Sequence, residues 1–200
     1  MDRHCYHERM NRSRWIRRAL ALCLAGMLTA CSPDYDWRRV QPADGGFAAM
    51  LPARPASMNQ QVALDGLPID MSLHGARIDE TSYTVGVLRL PDETPATRER
   101  VMAALRQSMV ANIAGTESAS ASVHVRTEDG TGQRVGQETA LQIQARGQMR
   151  KQPAVLTSRF VARGDRLWQA MVLAPESASR KSGHEESVAQ FFEGFVLVVR

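Results

Sequence analysis

Long apolar runs are scarce in this sequence. Residues 19–30 (Ala-Leu-Ala-Leu-Cys-Leu-Ala-Gly-Met-Leu-Thr-Ala) form an apolar stretch 12 residues long. A helix needs roughly 20 such residues to cross the hydrocarbon layer, so a permanent transmembrane anchor is disfavoured. Lysine is nearly absent: Lys151 and Lys181 both sit in polar stretches, not in the buried settings that depress a lysine pKa. No Gly-x-Ser-x-Gly elbow, Ser-x-x-Lys set, phosphate loop or dinucleotide fingerprint occurs, and each missing motif removes its chemistry from consideration. Histidine offers no metal pattern. His184-Glu185-Glu186 begins like a zincin helix, but Val188 stands where the second His of H-E-x-x-H belongs. His74 and His124 fall in expected strands as ordinary sheet residues. No catalytic residue, metal ligand or cofactor is therefore assigned.

What is present is an address. Residues 1–18 carry Arg3, Arg9, Arg12, Arg14, Arg17 and Arg18 against Asp2 and Glu8. A basic segment followed by a short apolar run is the layout of an export signal. Met10 offers a second start that gives a leader of ordinary length. The Arg17-Arg18 pair lacks the surroundings of a twin-arginine signal. The apolar run ends in Leu28-Thr29-Ala30-Cys31, which resembles the lipobox of a bacterial lipoprotein. That resemblance implies cleavage before Cys31, a diacylglycerol on its sulfur and acylation of the new amino terminus. A single buried chain holds a protein only marginally, at about 0.8 kcal/mol per CH₂, whereas two or three make release very slow. Ser32 follows the Cys. In Gram-negative sorting an Asp there favours the inner membrane, so Ser implies an outer-membrane protein facing the periplasm.

Removing residues 1–30 changes the charge. The whole chain is +4, but the part from Cys31 onward holds 19 basic and 19 acidic residues. A nucleic-acid binder shows a basic excess on its folded part, so nucleic acid is disfavoured as a partner. Cys5 and Cys23 depart with the leader, and Cys31, the remaining cysteine, is spent on lipid. No disulfide is then available, and a hydrophobic core must supply stability. About 170 residues suffice for one such domain.

The expected organisation is a signal peptide over 1–30, a lipidated tether over 31–46, and one domain over 47–200. The tether contains Pro33, Asp34, Asp36, Pro42, Asp44, Gly45 and Gly46, with Tyr35 and Trp37 expected to dock on the domain. Phe47–Leu51 reads as a strand stopped by Pro52. Period-two alternation at Val62/Leu64, Ile69/Met71/Leu73 and Tyr83/Val85/Val87 predicts hairpins turning at Asp65-Gly66 and Asp79-Glu80. Residues 94–114 predict an amphipathic helix. Thr94 is its N-cap, Pro95 its first position, and Val101, Leu105, Met109 and Ile113 line one face before Gly115 stops it. Residues 116–138 read as a polar loop interrupted by a short Val123–Val125 strand, and Arg146-Gly147 as the opening of another loop. Val155–Ala162 and Leu167–Leu173 form the clearest hairpin, around Arg163-Gly164-Asp165-Arg166. There Gly-Asp is turn chemistry, not an adhesion signal. Ser182–Glu185 resembles a capping box opening a short helix that ends at Gly194. Phe195–Val199 closes the chain as a strand.

This gives an α+β fold: a mainly antiparallel sheet with at least two helices packed on it. The Phe47 segment running into Leu51-Pro52-Ala53-Arg54-Pro55, the central helix, the Phe160/Trp168 hairpin and the closing Phe191-Phe192-Glu193-Gly194-Phe195 run resemble the small PsbP-like α/β/α sandwich proteins. That resemblance spans most of residues 45–199. It implies a non-catalytic accessory or assembly role and carries over no functional residues. The leading expectation is thus a non-enzymatic accessory lipoprotein, bound to the membrane through lipid and presenting a surface to an envelope protein. Two alternatives stand beside it. One is a cell-envelope hydrolase using the loop carboxylates Asp79-Glu80, Asp92-Glu93, Glu128-Asp129 or Glu185-Glu186. The other is a carrier of small apolar molecules in a cavity lined by Met50, Met71, Met109 and Met171. Trp168 is expected to fill the core, with an exposed binding anchor as the alternative.

Overall fold

The computed structural model describes residues 35–199. Leu28, Thr29, Ala30 and Cys31, with the leader and the start of the tether, lie outside the described residues. In chain order the elements are β1 (Arg38–Val40), β2 (Phe47–Leu51), β3 (Ala56–Leu64), β4 (Leu67–Ile78), β5 (Thr81–Arg89), α1 (Pro95–Asn112), β6 (Thr116–Glu128), β7 (Arg134–Met149), β8 (Gln152–Arg163), β9 (Arg166–Pro175), α2 (Glu176–Ser179), α3 (His184–Gly194) and β10 (Val196–Val198). The strands form one sheet in the order β1-β2-β10-β6-β7-β8-β9-β5-β4-β3. Every neighbouring pair is antiparallel except β10 with β6. The sheet curls into a half-barrel, so the molecule is more sheet-dominated than the simple sandwich read from the sequence.

Both faces of the curled sheet are covered, because alternate residues of each central strand are apolar on opposite sides. On one face Tyr83, Val85 and Val87 of β5 meet Trp168 and Ala170 of β9 and Phe191 and Phe192 of α3. On the other, Leu88, Leu167, Ile143 and Phe160 pack under Val101, Leu105 and Met109 of α1. Helix α1 begins as the sequence predicts: Thr94 Oγ1 accepts from the Thr97 N–H at 3.2 Å and Pro95 follows the cap. Its stop differs. Ala114, not Gly115, takes the left-handed conformation (φ 45°).

Several stretches depart from the sequence reading. Residues 35–46 are not a free tether, because β1 pairs with β2; Tyr35 and Trp37 dock on the domain as expected, Trp37 packing on the core with its ring edge-on to Tyr83 at 6.3 Å and Tyr35 stacked upon it. The region 116–128 is one 13-residue strand, β6, of which the sequence reading caught Val123–Val125 alone. Its Ser/Ala/Thr run hid the alternation, because small residues mark neither face. Gly147 does not open a loop but lies inside β7. A Cβ there would fall 2.3 Å from the Ile113 carbonyl oxygen, so glycine lets β7 pass under the end of α1. Helix α3 starts where expected, but Gly183 stands at its N-cap and no side chain caps it.

Tyr83 is fully buried beside α3. The Ser187 hydroxyl donates to the His184 carbonyl at 2.7 Å, which leaves Tyr83 Oη to donate to Ser187 Oγ at 2.8 Å. Burial, reinforced by the neighbouring Tyr35, pushes the Tyr83 hydroxyl up to about 12 from an ordinary value of 10.0. A raised folded-state pKa contributes stability that is complete below pH 10 and lost as pH rises through 12. Denaturant titrations across pH 8–12 should show that loss in the wild-type protein. In Tyr83→Phe the alkaline slope should flatten, with about 1 kcal/mol lost at neutral pH. A second expectation concerns the β7–β8 turn, where Arg150 and Lys151 both hold positive φ (52° and 65°). Such conformations cost a non-glycine residue about 1–2 kcal/mol. Lys151→Gly should therefore raise the melting temperature by about 2–8 °C, read by thermal denaturation.

Candidate functional site

The loop Gln41–Gly46 between β1 and β2 folds back onto β9, more than 120 residues away. Two contacts hold it: the Trp168 indole N–H donates to the Gly45 carbonyl at 2.7 Å, and Arg166 Nη1 donates to the Asp44 carbonyl at 2.9 Å. Gly46 has φ +62°, and a Cβ on it would lie 2.8 Å from Arg166 Nη1 and 3.2 Å from the Trp168 ring. Glycine is thus required both for the backbone turn and for the close approach.

A cleft opens on each side of this loop. The first, about 660 Å³, has Phe47, Trp168 and Leu197 among its apolar lining, with Arg163, Asp165 and Arg166 beside them. The second, about 690 Å³, runs over β3 and β4 and includes Asn59, Asp70, Met71, His74 and Arg89. Arg166 borders both. Asp165 lies 3.6 Å from Arg89 and 3.8 Å from Arg166, and Glu138 lies 3.6 Å from Arg163. At these distances and exposures such pairs are weak, so the guanidinium groups keep donors to offer. In the second cleft His74 Nδ1 shares a hydrogen with Ser57 Oγ at 2.8 Å, and the ring packs 5.6 Å from Phe47. Burial lowers the His74 pKa, favouring the neutral imidazole. Apolar walls with polar and guanidinium edges suit a ligand or peptide that is apolar along its body and polar or anionic at one end.

The residues singled out in the sequence do not converge here. Trp168 is buried in the core, and its polar atom is committed to the loop. Glu128 is buried and paired with Arg39 Nη2 at 2.8 Å. Asp129 shapes the β6–β7 turn, accepting from the Thr131 and Gln133 N–H groups at 2.9 and 3.0 Å. Asp92 accepts from the Thr94 N–H at 2.8 Å and Asp79 occupies a hairpin turn at φ 50°. Glu185 and Glu186 lie in the first turn of α3, where acids complement the helix dipole. The four methionines do not line one cavity: Met71, Met109 and Met171 pack in the cluster under α1, while Met50 lies against Gly194. Of the four, Met71 reaches the second cleft. Among the described residues no three His, Cys, Asp or Glu side chains gather as a metal ion would require. Sequence reading missed the 41–46 loop and Arg166. The signal was there: a Gly45-Gly46 pair leading straight into an almost wholly buried strand.

Trp168→Phe keeps most of the apolar area but leaves the Gly45 carbonyl without its donor. The expected outcome is a loss of about 1–2 kcal/mol, with faster amide exchange at residues 41–46 than elsewhere in the sheet. Unchanged exchange in that loop would show that the indole does not hold it.

No family model and no curated protein matches the sequence. Among solved structures, the solution structure of cyanobacterial PsbP (CyanoP) from Synechocystis sp. PCC 6803 is similar with a TM-score of 0.51 at 9% identity, over 84% of this chain and 95% of that one. A protein of unknown function from Pseudomonas aeruginosa, PA94, aligns with a TM-score of 0.41 at 13% identity, over 82% of this chain and 97% of that one. The first likeness shows a PsbP-like fold and nothing finer.

Proposed function

We propose that this chain is a lipid-anchored accessory protein of the bacterial envelope, which binds a partner at the clefts beside the 41–46 loop rather than performing chemistry. The observation that carries this reading is the loop itself. It is fixed by a buried indole and a guanidinium between two open clefts, while the carboxylates suited to hydrolysis are engaged in turns and in the Arg39 ion pair. Leu28-Thr29-Ala30-Cys31 supplies the anchor, and Ser32 directs the protein to the outer membrane, facing the periplasm. Three residues separate Cys31 from Tyr35. At roughly 3.3–3.6 Å per residue the four steps from Cys31 to Tyr35 reach about 14 Å at most, so the lipid would hold the domain close to the bilayer surface.

Two measurements test the reading. Cys31→Ala should abolish labelling by a fatty-acid probe and leave the leader uncut by the lipoprotein signal peptidase; normal labelling of that variant would refute the anchor. A photo-crosslinking amino acid at Gln41, in the first cleft, should capture one defined envelope protein in intact cells. The same group at Gln144, exposed on β7, should not. Equal capture at both positions would remove the clefts as the binding face.

A further inference from the structure

Among the described residues, unpaired strand edge runs along β1, most of β6, β3 and, on its β8 side, residues 134–140 of β7, which carry Arg134 and Glu138, and these edges are guarded unequally. At one end β1 is only 3 residues long and carries Arg38 and Arg39. Along the middle, β10 pairs with β6 at Thr127 and Glu128, which leaves the rest of that β6 edge open. This edge bears Glu117, His124 and Arg126 and is kinked by a bulge between Glu117 and Ala119. Short length, charge and bulges are the usual protections against strand addition. At the other end, β3 has none of them. Its nine residues, Ala-Ser-Met-Asn-Gln-Gln-Val-Ala-Leu, include no charged residue and no proline, and it pairs with β4 without a register shift from Ala56 to Leu64.

We infer that β3 is the interaction edge of this protein and that its partner is a second copy of the same strand, paired antiparallel about a two-fold axis through Gln60. The pattern of residues singles out this occupant. With Gln60 on the axis, Met58 of one copy lies opposite Val62 of the other, and Ala56 opposite Leu64. The apolar residues of the strand thus meet one another on the face shared with α1, and the polar Ser57, Asn59 and Gln61, with the small Ala63, lie on the opposite face. Val62 and Leu64 already join the cluster under α1, whereas Met58 is 53% exposed. The pairing extends that cluster across the axis and covers Met58. Self-pairing sets Gln60 against its own copy and the flanking residues against their counterparts across the axis, where like charges would repel; β3 carries no charge to oppose it. The arrangement is isologous and therefore closes at two copies, with the better-guarded edges left outside.

The test uses the full-length protein in detergent micelles. Residues on the axis face each other at a Cα separation of about 4.5–5.5 Å, within the range that a disulfide spans. Gln60→Cys should therefore form an intermolecular disulfide under mild oxidation. Met58→Cys, two residues off the axis on each strand, should not, but should crosslink when mixed with Val62→Cys. In sedimentation, Gln60→Lys and Gln60→Glu should each run as one copy, and an equimolar mixture of the two should return to the mass of two. That rescue separates pairing from any loss of folding in the single variants. A monomeric wild-type protein, crosslinking at Met58→Cys alone, or a Gln60→Lys protein that remains a dimer would each overturn the inference. So would strand-edge crosslinking to a different protein in place of a second copy.

Discussion

Val196, Leu197 and Val198 join the N-terminal hairpin to the rest of the sheet. β10 pairs antiparallel with β2 on one side and parallel with β6 on the other, and no other described strand links β2 to the main body. Three residues offer few ladder bonds, so the join depends on what surrounds it. Val198 N–H donates to the Gly46 carbonyl at 2.9 Å and Val199 N–H to the Glu128 carbonyl at 2.8 Å. Leu197 and Phe195 are buried against Phe47, whose ring lies 6.2 Å from that of Phe195. Because the strand is parallel to β6, it must be fed by a crossover, and α3 is the element that brings the chain to the right place.

The end of α3 therefore matters more than its start. Its start lacks a side-chain cap. Its last carbonyls are taken by two arginines: Arg159 Nη1 donates to the Phe192 carbonyl at 3.1 Å and Arg126 Nη2 to the Glu193 carbonyl at 2.6 Å. Cations at a helix C-terminus oppose the helix dipole and satisfy orphan acceptors. Arg159 also stacks 4.6 Å from the centre of the Phe192 ring. A planar guanidinium does both at once, where a lysine ammonium would supply charge without the stacking surface. Arg126 lies on β6 and Arg159 on β8, so two strands of the main sheet grip the helix that delivers the joining strand.

What the sequence reveals about this fold follows the size and alternation of its side chains. The hairpins β3–β4, β4–β5 and β8–β9 and the helix α1 are legible, because their apolar residues repeat at two or at three and four. β6 is not legible. Ala119, Ser120, Ala121 and Ser122 are all exposed, so no alternation in hydropathy marks them. β1 is hidden for a different reason: a three-residue strand with two arginines has too few residues to show a period. The site combines both difficulties. Trp168 is readable as a core residue, but nothing local indicates that its nitrogen reaches Gly45 across 123 residues of sequence. Proline, aspartate and glycine in 41–46 specify a turn; they do not specify what the turn rests upon.

The join and the clefts meet at the 41–46 loop. A loop closed by its own strands is ordered as soon as its hairpin forms. The 41–46 loop instead takes its conformation from β9, and β2 is joined to the main sheet through β10. Its order thus depends on β9 and β10 through contacts of long sequence separation, whose loop closure is entropically costly. Phe47 lines the first cleft and belongs to the same core cluster as Trp168. Any local opening of the loop would carry that lining with it. The shape of the clefts and the docking of the N-terminal hairpin are consequently coupled, and any ligand that bound only the closed loop would stabilise the join by an amount set by its concentration relative to its Kd.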